Sequence, residues 1–232
     1  MRVHLAPAFV LHTRPYRGSS LLVELLTQDH GRISGLAYAA RCGTSPMRGL
    51  LQLNTPLLVS WSSKTALMKF SKIEARGLPY TLSGTACMSS FYVNELLMRL
   101  LHRHDPCPTV FALYQQVLTG LEAAESAQAV ARTLRIFECA LLPALGYGFT
   151  FHIVAETGMP VQPTEHYTFV PGHGLRPVAG SGFLGGHLLA MHHHVWDDPA
   201  VCSAAKCLMR SVYRSLLGPK PLKSRSLFTG YG

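Results

Sequence analysis

Between residues 7 and 76, five short runs rich in Leu, Val, Ile, Phe and Trp follow one another with no helical stretch between them. They read AFVLHTR, SLLVELLT, RISGLAY, LQLNTPLLVSW and ALMKFSKIEA. Turn signals separate them at Pro15-Tyr16-Arg17-Gly18, Gln28-Asp29-His30-Gly31, Gly43-Thr44-Ser45-Pro46 and Ser62-Ser63-Lys64. Five strands in so short a span imply a small closed barrel. The five-stranded OB-fold is the commonest of that size, and an SH3-like barrel is the rival from pattern alone.

The basic residues of this part fall in or beside the turns, as Arg14, Arg17, Arg32, Arg41, Arg48 and Lys64, and on the last run, as Lys69 and Lys72. A spacing of three sends Lys69 and Lys72 to opposite faces of a strand unless a bulge intervenes. The whole chain of 232 residues has 21 Lys and Arg against 12 Asp and Glu, a net charge of +9. The excess is uneven: ten basic against three acidic side chains in residues 1–80, four against five in 81–150, seven against four in 151–232. That asymmetry favours a polyanionic partner. Nucleic acid ranks ahead of a membrane surface, because no basic amphipathic helix with exposed aromatics accompanies the charge. A basic barrel with Tyr16, Tyr38 and Trp61 can hold a single strand by phosphate contacts and stacking, although Trp61 fits the core equally well.

Leu78-Pro79 to Ser83-Gly84 breaks the β pattern, so the expected domains are 1–80 and 81–232. A helix capped by Ser83 or Thr85 is expected to about Arg103, and a second from Thr109 to about Glu125. From Ala129 to Phe151 apolar residues recur at helical spacing on nearly every side, which predicts a central helix surrounded by protein. Ser126 precedes it, Pro143 loosens its last turn and Gly146 ends it. A small hairpin is expected over 167–178 and a short helix over 184–191. Asp198-Pro199 then opens a last helix, to Leu217, with Lys206, Arg210 and Arg214 as an outward basic stripe. Lys220, Lys223 and Arg225 follow in a proline-stiffened tail. The fold class is therefore α+β: an N-terminal five-stranded OB-fold barrel followed by an α-helical domain with a small irregular or hairpin insertion.

Chemistry is harder to find. His187, His192, His193 and His194 lie near Cys202 and Cys207 in sequence, but adjacent histidines diverge on a helix and so do cysteines five apart, so no metal site is expected. No nucleophile elbow, zinc-protease motif or phosphate loop occurs. Gly180, Gly182 and Gly185 match a dinucleotide spacing without a strand–helix unit around them. Neither an enzyme nor a cofactor is expected. Six cysteines without a framework read as reduced thiols, and no apolar run is long enough to span a bilayer. A cytoplasmic, nucleoid-associated protein is expected. Arg132 and Arg135 on the central helix pose a choice. Either Arg135 pairs internally with Glu138, which the spacing favours, or an arginine receives a carboxylate beside an apolar pocket.

Four stretches resemble the bacterial RecO recombination mediators: AFVLHTRPYRGSSLLVELLT, the segment from Arg41 through Gly49-Leu50-Leu51-Gln52 to Thr55-Pro56-Leu57, FYVNELLMRLL, and LRIFECALLPALGYGFTF. The tail LGPKPLKSRSLF is similar to the family as well. The resemblance implies an OB-fold joined to a helical domain and a non-enzymatic role in DNA repair. It implies binding of single- and double-stranded DNA, annealing of complementary strands, and loading of the recombinase RecA with the partner RecR. It further implies capture of the acidic C-terminal tail of single-stranded-DNA-binding protein by Arg135, with Leu134, Phe137 and Arg132 beside it. Many relatives carry a four-cysteine zinc site after the central helix. Gly148 to Pro163 has no cysteine, so the likeness is to the zinc-free branch. The hairpin Tyr38–Thr44 has fewer charges than is usual in the family, and a common glutamate is Gly18 here. DNA contact is therefore expected to lean on Arg14, Arg32, Arg48 and the C-terminal basic set. The rival class is a protein–protein adaptor whose basic surface only solubilises it.

Overall fold

The computed structural model describes residues 2–43, 45, 47–62, 67–148 and 150–228. Strands β1 (Arg2–Tyr16), β2 (Ser20–Thr27), β3 (Gly31–Ala37), β4 (Pro56–Ser62) and β5 (Met68–Ala75) close into a barrel in the order β1-β2-β3-β5-β4, with the short helix α1 (Met47–Leu50) between β3 and β4. β3 and β5 pair in parallel and the other pairs are antiparallel. This is the OB-fold arrangement and not the SH3-like one. Val10, Val23, Leu25, Ile33, Leu57, Val59 and Trp61 fill the barrel.

Two local departures from the sequence pattern have physical causes. The run LQLNTPLLVSW becomes a strand only at Pro56, because Asn54 takes a left-handed φ of 62° and turns the chain there. On β5 the register slips between Ser60 and Trp61, which pair with Lys72 and Phe70 and leave Ser71 as the extra residue. The bulge lets Phe70 and Ile73 both face the core while Lys69 and Lys72 both stay outside.

Helices α2 (Gly84–Leu100) and α3 (Pro108–Glu122) follow. Pro108, not Thr109, is the first helical residue of α3, where its missing N–H is no loss. Phe9 of β1 meets Phe111 and Tyr114 of α3 at ring separations of 5.4 and 5.0 Å. The buried Tyr114 hydroxyl donates to Asn94 Oδ1 at 2.7 Å. By packing, the residues up to Ala123 form one compact unit together with the segment from Leu222, and Ala124–Pro221 forms a second. The helices α2 and α3, which a boundary at 80 assigns to the C-terminal domain, thus pack with the barrel.

In the second unit, α4 (Ala127–Ala144) begins at Ser126, whose hydroxyl accepts from Ala129 N at 3.1 Å. It ends in paired reverse bonds, Gly146 N to Pro143 O at 3.0 Å and Tyr147 N to Leu142 O at 2.9 Å, with Gly146 at φ 78°. Pro143 sits within this last turn. A three-stranded sheet of β6 (His166–Val170), β7 (Gly174–Pro177) and β8 (Phe183–Leu184) leads into α5 (Gly185–His192), and α6 (Pro199–Leu217) packs on α4 and α5. α4 is not surrounded as its composition suggests: Ile136 is 40% exposed, in a stripe with Arg132 and Pro143. The tail ends in a 3-10 helix, Lys223–Phe228, within the first unit.

Candidate nucleic-acid interface

The alternation of β3 sends Ile33, Gly35 and Ala37 inward and Arg32, Ser34, Leu36 and Tyr38 outward. On β2, Leu21, Val23 and Leu25 face the core while Ser20, Leu22 and Glu24 face out. This outer face is divided. Near Glu24 it is covered by the segment from α2 onward: Arg103 Nη2 lies 2.7 Å from Glu24 Oε1, Ser34 Oγ donates to the same oxygen, and Arg32 Nη1 donates to Met98 O at 2.8 Å while lying 3.7 Å from Glu24 Oε2. Burial, partly opposed by Glu24, holds the Arg32 guanidinium below its ordinary pKa. Arg32, expected at the DNA face, is therefore a half-buried brace between barrel and helix.

The other half of the face is open. Arg14 and Tyr16 stand on it from β1, Ser20 and Leu22 from β2, and Tyr38, 51% exposed, from the end of β3. The turns at 17–19 and 38–43 are tied together, Arg41 N to Ser19 O at 2.8 Å and Arg41 Nη1 to Gly18 O at 3.2 Å. Arg17, in a left-handed conformation with φ 30°, places its guanidinium carbon 5.4 Å from the centroid of the Tyr16 ring. Lys69 sits opposite Leu36 on one side and Ser62 on the other, and Arg2 is the partner of Ser62 across β1. The exposed Arg2 was missed by the sequence pattern, because β1 starts well before its first obvious apolar run. Arg48 is exposed on α1, and Lys72 is exposed and paired with Glu74 at 2.6 Å. Lys64 lies outside the described residues. Trp61 is core, 1% exposed, with the His30 ring edge-on at 5.1 Å.

In the second unit, Lys206, Arg210 and Arg214 all stand exposed along α6, as their spacing predicts, and Lys220 is exposed beyond it. In the tail, Lys223 is exposed and Arg225 half-buried. Glu95 of α2 accepts from Lys223 N at 2.9 Å, Ser224 N at 2.7 Å and Ser224 Oγ at 2.7 Å.

The candidate tail receptor has a different character. Arg135 Nη2 donates to Glu138 Oε1 at 2.8 Å, with Arg135 8% and Glu138 2% exposed, and Leu134 and Phe137 are buried. The Tyr213 hydroxyl of α6 donates to Glu138 O at 2.7 Å. Arg132 is exposed and reaches Asp197 Oδ1 at 3.2 Å. A cavity of about 480 Å³ opens nearby between Tyr147, Ile153, Phe169, His173 and Leu216, but none of Arg132, Leu134, Arg135 or Phe137 lines it.

Two family models cover most of the chain: Recombination protein O N terminal over residues 1–78, and Recombination protein O C terminal over residues 82–226. The chain is 42% identical over 230 residues to the DNA repair protein RecO of Coxiella burnetii strain CbuG_Q212, covering 97% of this chain and 98% of that protein. It is 40% identical over 234 residues to the one of Nitrosospira multiformis, covering 97% and 95%. With that of Actinobacillus pleuropneumoniae serotype 7 the identity is 42% over 223 residues, covering 95% and 92%. The chain belongs to the RecO family. It is a DNA repair protein of that family, with the family's OB-fold at its N-terminus.

Other motifs find their places in this frame. The histidines form a stack, His152 on His192 at 3.9 Å and His192 near His193 at 4.9 Å. Burial together with the neighbouring imidazoles lowers the pKa of His192. No group of three or more His, Cys, Asp or Glu side chains able to hold a metal occurs among the described residues. The glycines at 182 and 185 answer to packing: a Cβ on Gly182 would sit 2.7 Å from Tyr167 O, and one on Gly185 would sit 1.9 Å from Gln162 O. No helix among the described residues is long and apolar enough to cross a membrane.

Proposed function

We propose that this chain is a non-enzymatic recombination mediator. In this reading the open half of the barrel, with Arg14, Arg17, Arg41 and Lys69, the further exposed cations Arg48 and Lys72, and the stripe Lys206, Arg210, Arg214 with Lys220, Lys223 and Arg225 hold phosphate backbones. Two strands are brought together for annealing, and RecA loading is promoted with RecR. The observation that carries it is the clustering of exposed cations around one aromatic half of an OB barrel, the strand 2–3 face and first loop that this fold uses for oligonucleotides. Membership of a DNA repair family supports it. Capture of the acidic tail of single-stranded-DNA-binding protein belongs to the same proposal. Arg132 is the cation already at the surface there, and Arg135 has to exchange Glu138 for the incoming carboxylate.

The test is fluorescence-anisotropy binding of labelled single strands and duplexes across a salt series. Each phosphate neutralised steepens the fall of log affinity with log salt by about 0.7 for single strands and about 0.9 for duplex. Alanine at Lys206, Arg210 and Arg214 together is expected to weaken binding and flatten that slope by about 2 for single strands. A slope near zero in the wild type overturns the DNA reading and leaves the adaptor.

A further inference from the structure

Tyr16 pairs with Ser20, and Leu21 with Ala37, so extending the second register by one residue sets Ser20 beside Tyr38. Arg41 N to Ser19 O shows that the two chains stay adjacent beyond that point. Ala37 and Ala40 are fully buried, which turns Tyr38 to the outside. Tyr16, Ser20 and Tyr38 thus form one cross-strand row on the open outer face. With strands about 4.8 Å apart, the two tyrosines are about 10 Å apart, close to the rise of three stacked nucleotides. The Tyr16 ring carries the Arg17 guanidinium, whereas Tyr38 has half its surface in solvent. Leu22 lies one row further along, and Arg14 is its partner on β1. The face is therefore aromatic and apolar at its centre and cationic at its margins.

We propose that Tyr38 is a base-stacking platform and the residue by which this barrel prefers single strands to duplex. Arg17, steadied by Tyr16, and Arg14 hold the flanking phosphates. A duplex buries the faces of its bases in its own stack and offers Tyr38 nothing, while an unpaired base of any identity can lie on the ring. The cations serve both forms. The proposal rests on the DNA-binding reading above and adds to it which form this face selects.

The test uses the full chain and three labelled probes of equal length: oligothymidylate, a duplex, and an abasic strand keeping only sugar and phosphate. Tyr38→Leu is expected to weaken oligothymidylate binding roughly five-fold or more, to leave duplex and abasic affinity unchanged, and to be rescued by Tyr38→Phe. Thermal melting verifies that each variant is folded, as expected for a half-exposed residue. An equal loss on all three probes, or no loss on any, overturns the platform while the DNA reading stands. A wild type that binds none of the probes overturns the DNA reading itself.

Discussion

The pair Arg135–Glu138 makes the sharpest energetic prediction. Both side chains lie within the second unit, and one charge-assisted bond of 2.8 Å joins them. Arg135→Ala leaves the Glu138 carboxylate buried and removes the Arg135 cation from it, a change that costs about 3–5 kcal/mol because the desolvation of the carboxylate is no longer offset by that bond. Replacing both, as Arg135→Met with Glu138→Leu, removes the two charges together and keeps most of the volume. That double variant is expected within about 1 kcal/mol of the wild type, or above it. Urea unfolding followed by circular dichroism reads the difference. At a slope of about 2 kcal/mol per molar, the single variant's midpoint falls by roughly 2 M. A single variant within about 0.5 kcal/mol of wild type refutes the account of the pair as a structural unit. The prediction bears on function, since weaker tail-peptide binding by Arg135→Ala would mix lost structure with lost recognition. Arg132→Ala is the cleaner probe, because the exposed Arg132–Asp197 pair contributes under about 1 kcal/mol to stability.

Glu95 sets a pH dependence for the tail. Burial pushes its carboxyl up, but the bonds from Ser224 N, Ser224 Oγ and Lys223 N outweigh this and hold it below its ordinary 4.5. Its contribution is thus present in full above pH 4.5 and is lost as pH falls through the lower folded value. The Ser224 and Lys223 amide resonances should report release of the 3-10 helix below that point, and Glu95→Gln should release it near neutral pH at a loss of about 1–2 kcal/mol. Gly31 combines a φ of 64° with Asp105 O only 2.1 Å from a would-be Cβ. Gly31→Ala is therefore expected to lower stability by more than about 2 kcal/mol in urea unfolding, against about 1 kcal/mol for Gly18→Ala, where φ is 52° and the space is open.

Apolar runs and turn signals along the chain located the five strands of the barrel, although the fourth run becomes a strand only at Pro56, because they record a barrel's most local demand, a strand with one face in and one out. They cannot record which part of the outer face a later segment covers. Arg32 and Tyr38 share the parity of β3 and look alike as outward residues, yet Arg32 meets Met98 and Glu24 while Tyr38 meets solvent. The covering chain arrives some 66 residues later, so only a non-local signal could separate the two. One was present. Glu24 is one of three acids in the basic first 80 residues, and it sits in an otherwise apolar strand, LLVELL. A carboxylate there must find a cation, and Arg32, on the next strand and two residues from Ser34, the register partner of Glu24, is one that the turn brings close. The same reasoning favoured Arg135 with Glu138 from their spacing, and the structure holds that pair. On α6 the stripe was legible from helical spacing alone: Val201, Ala205, Leu208 and Val212 are buried, and Lys206, Arg210 and Arg214 are exposed. A buried acid thus identifies the arginines that are braces, and it is on the cations remaining exposed that the proposed phosphate contacts rest.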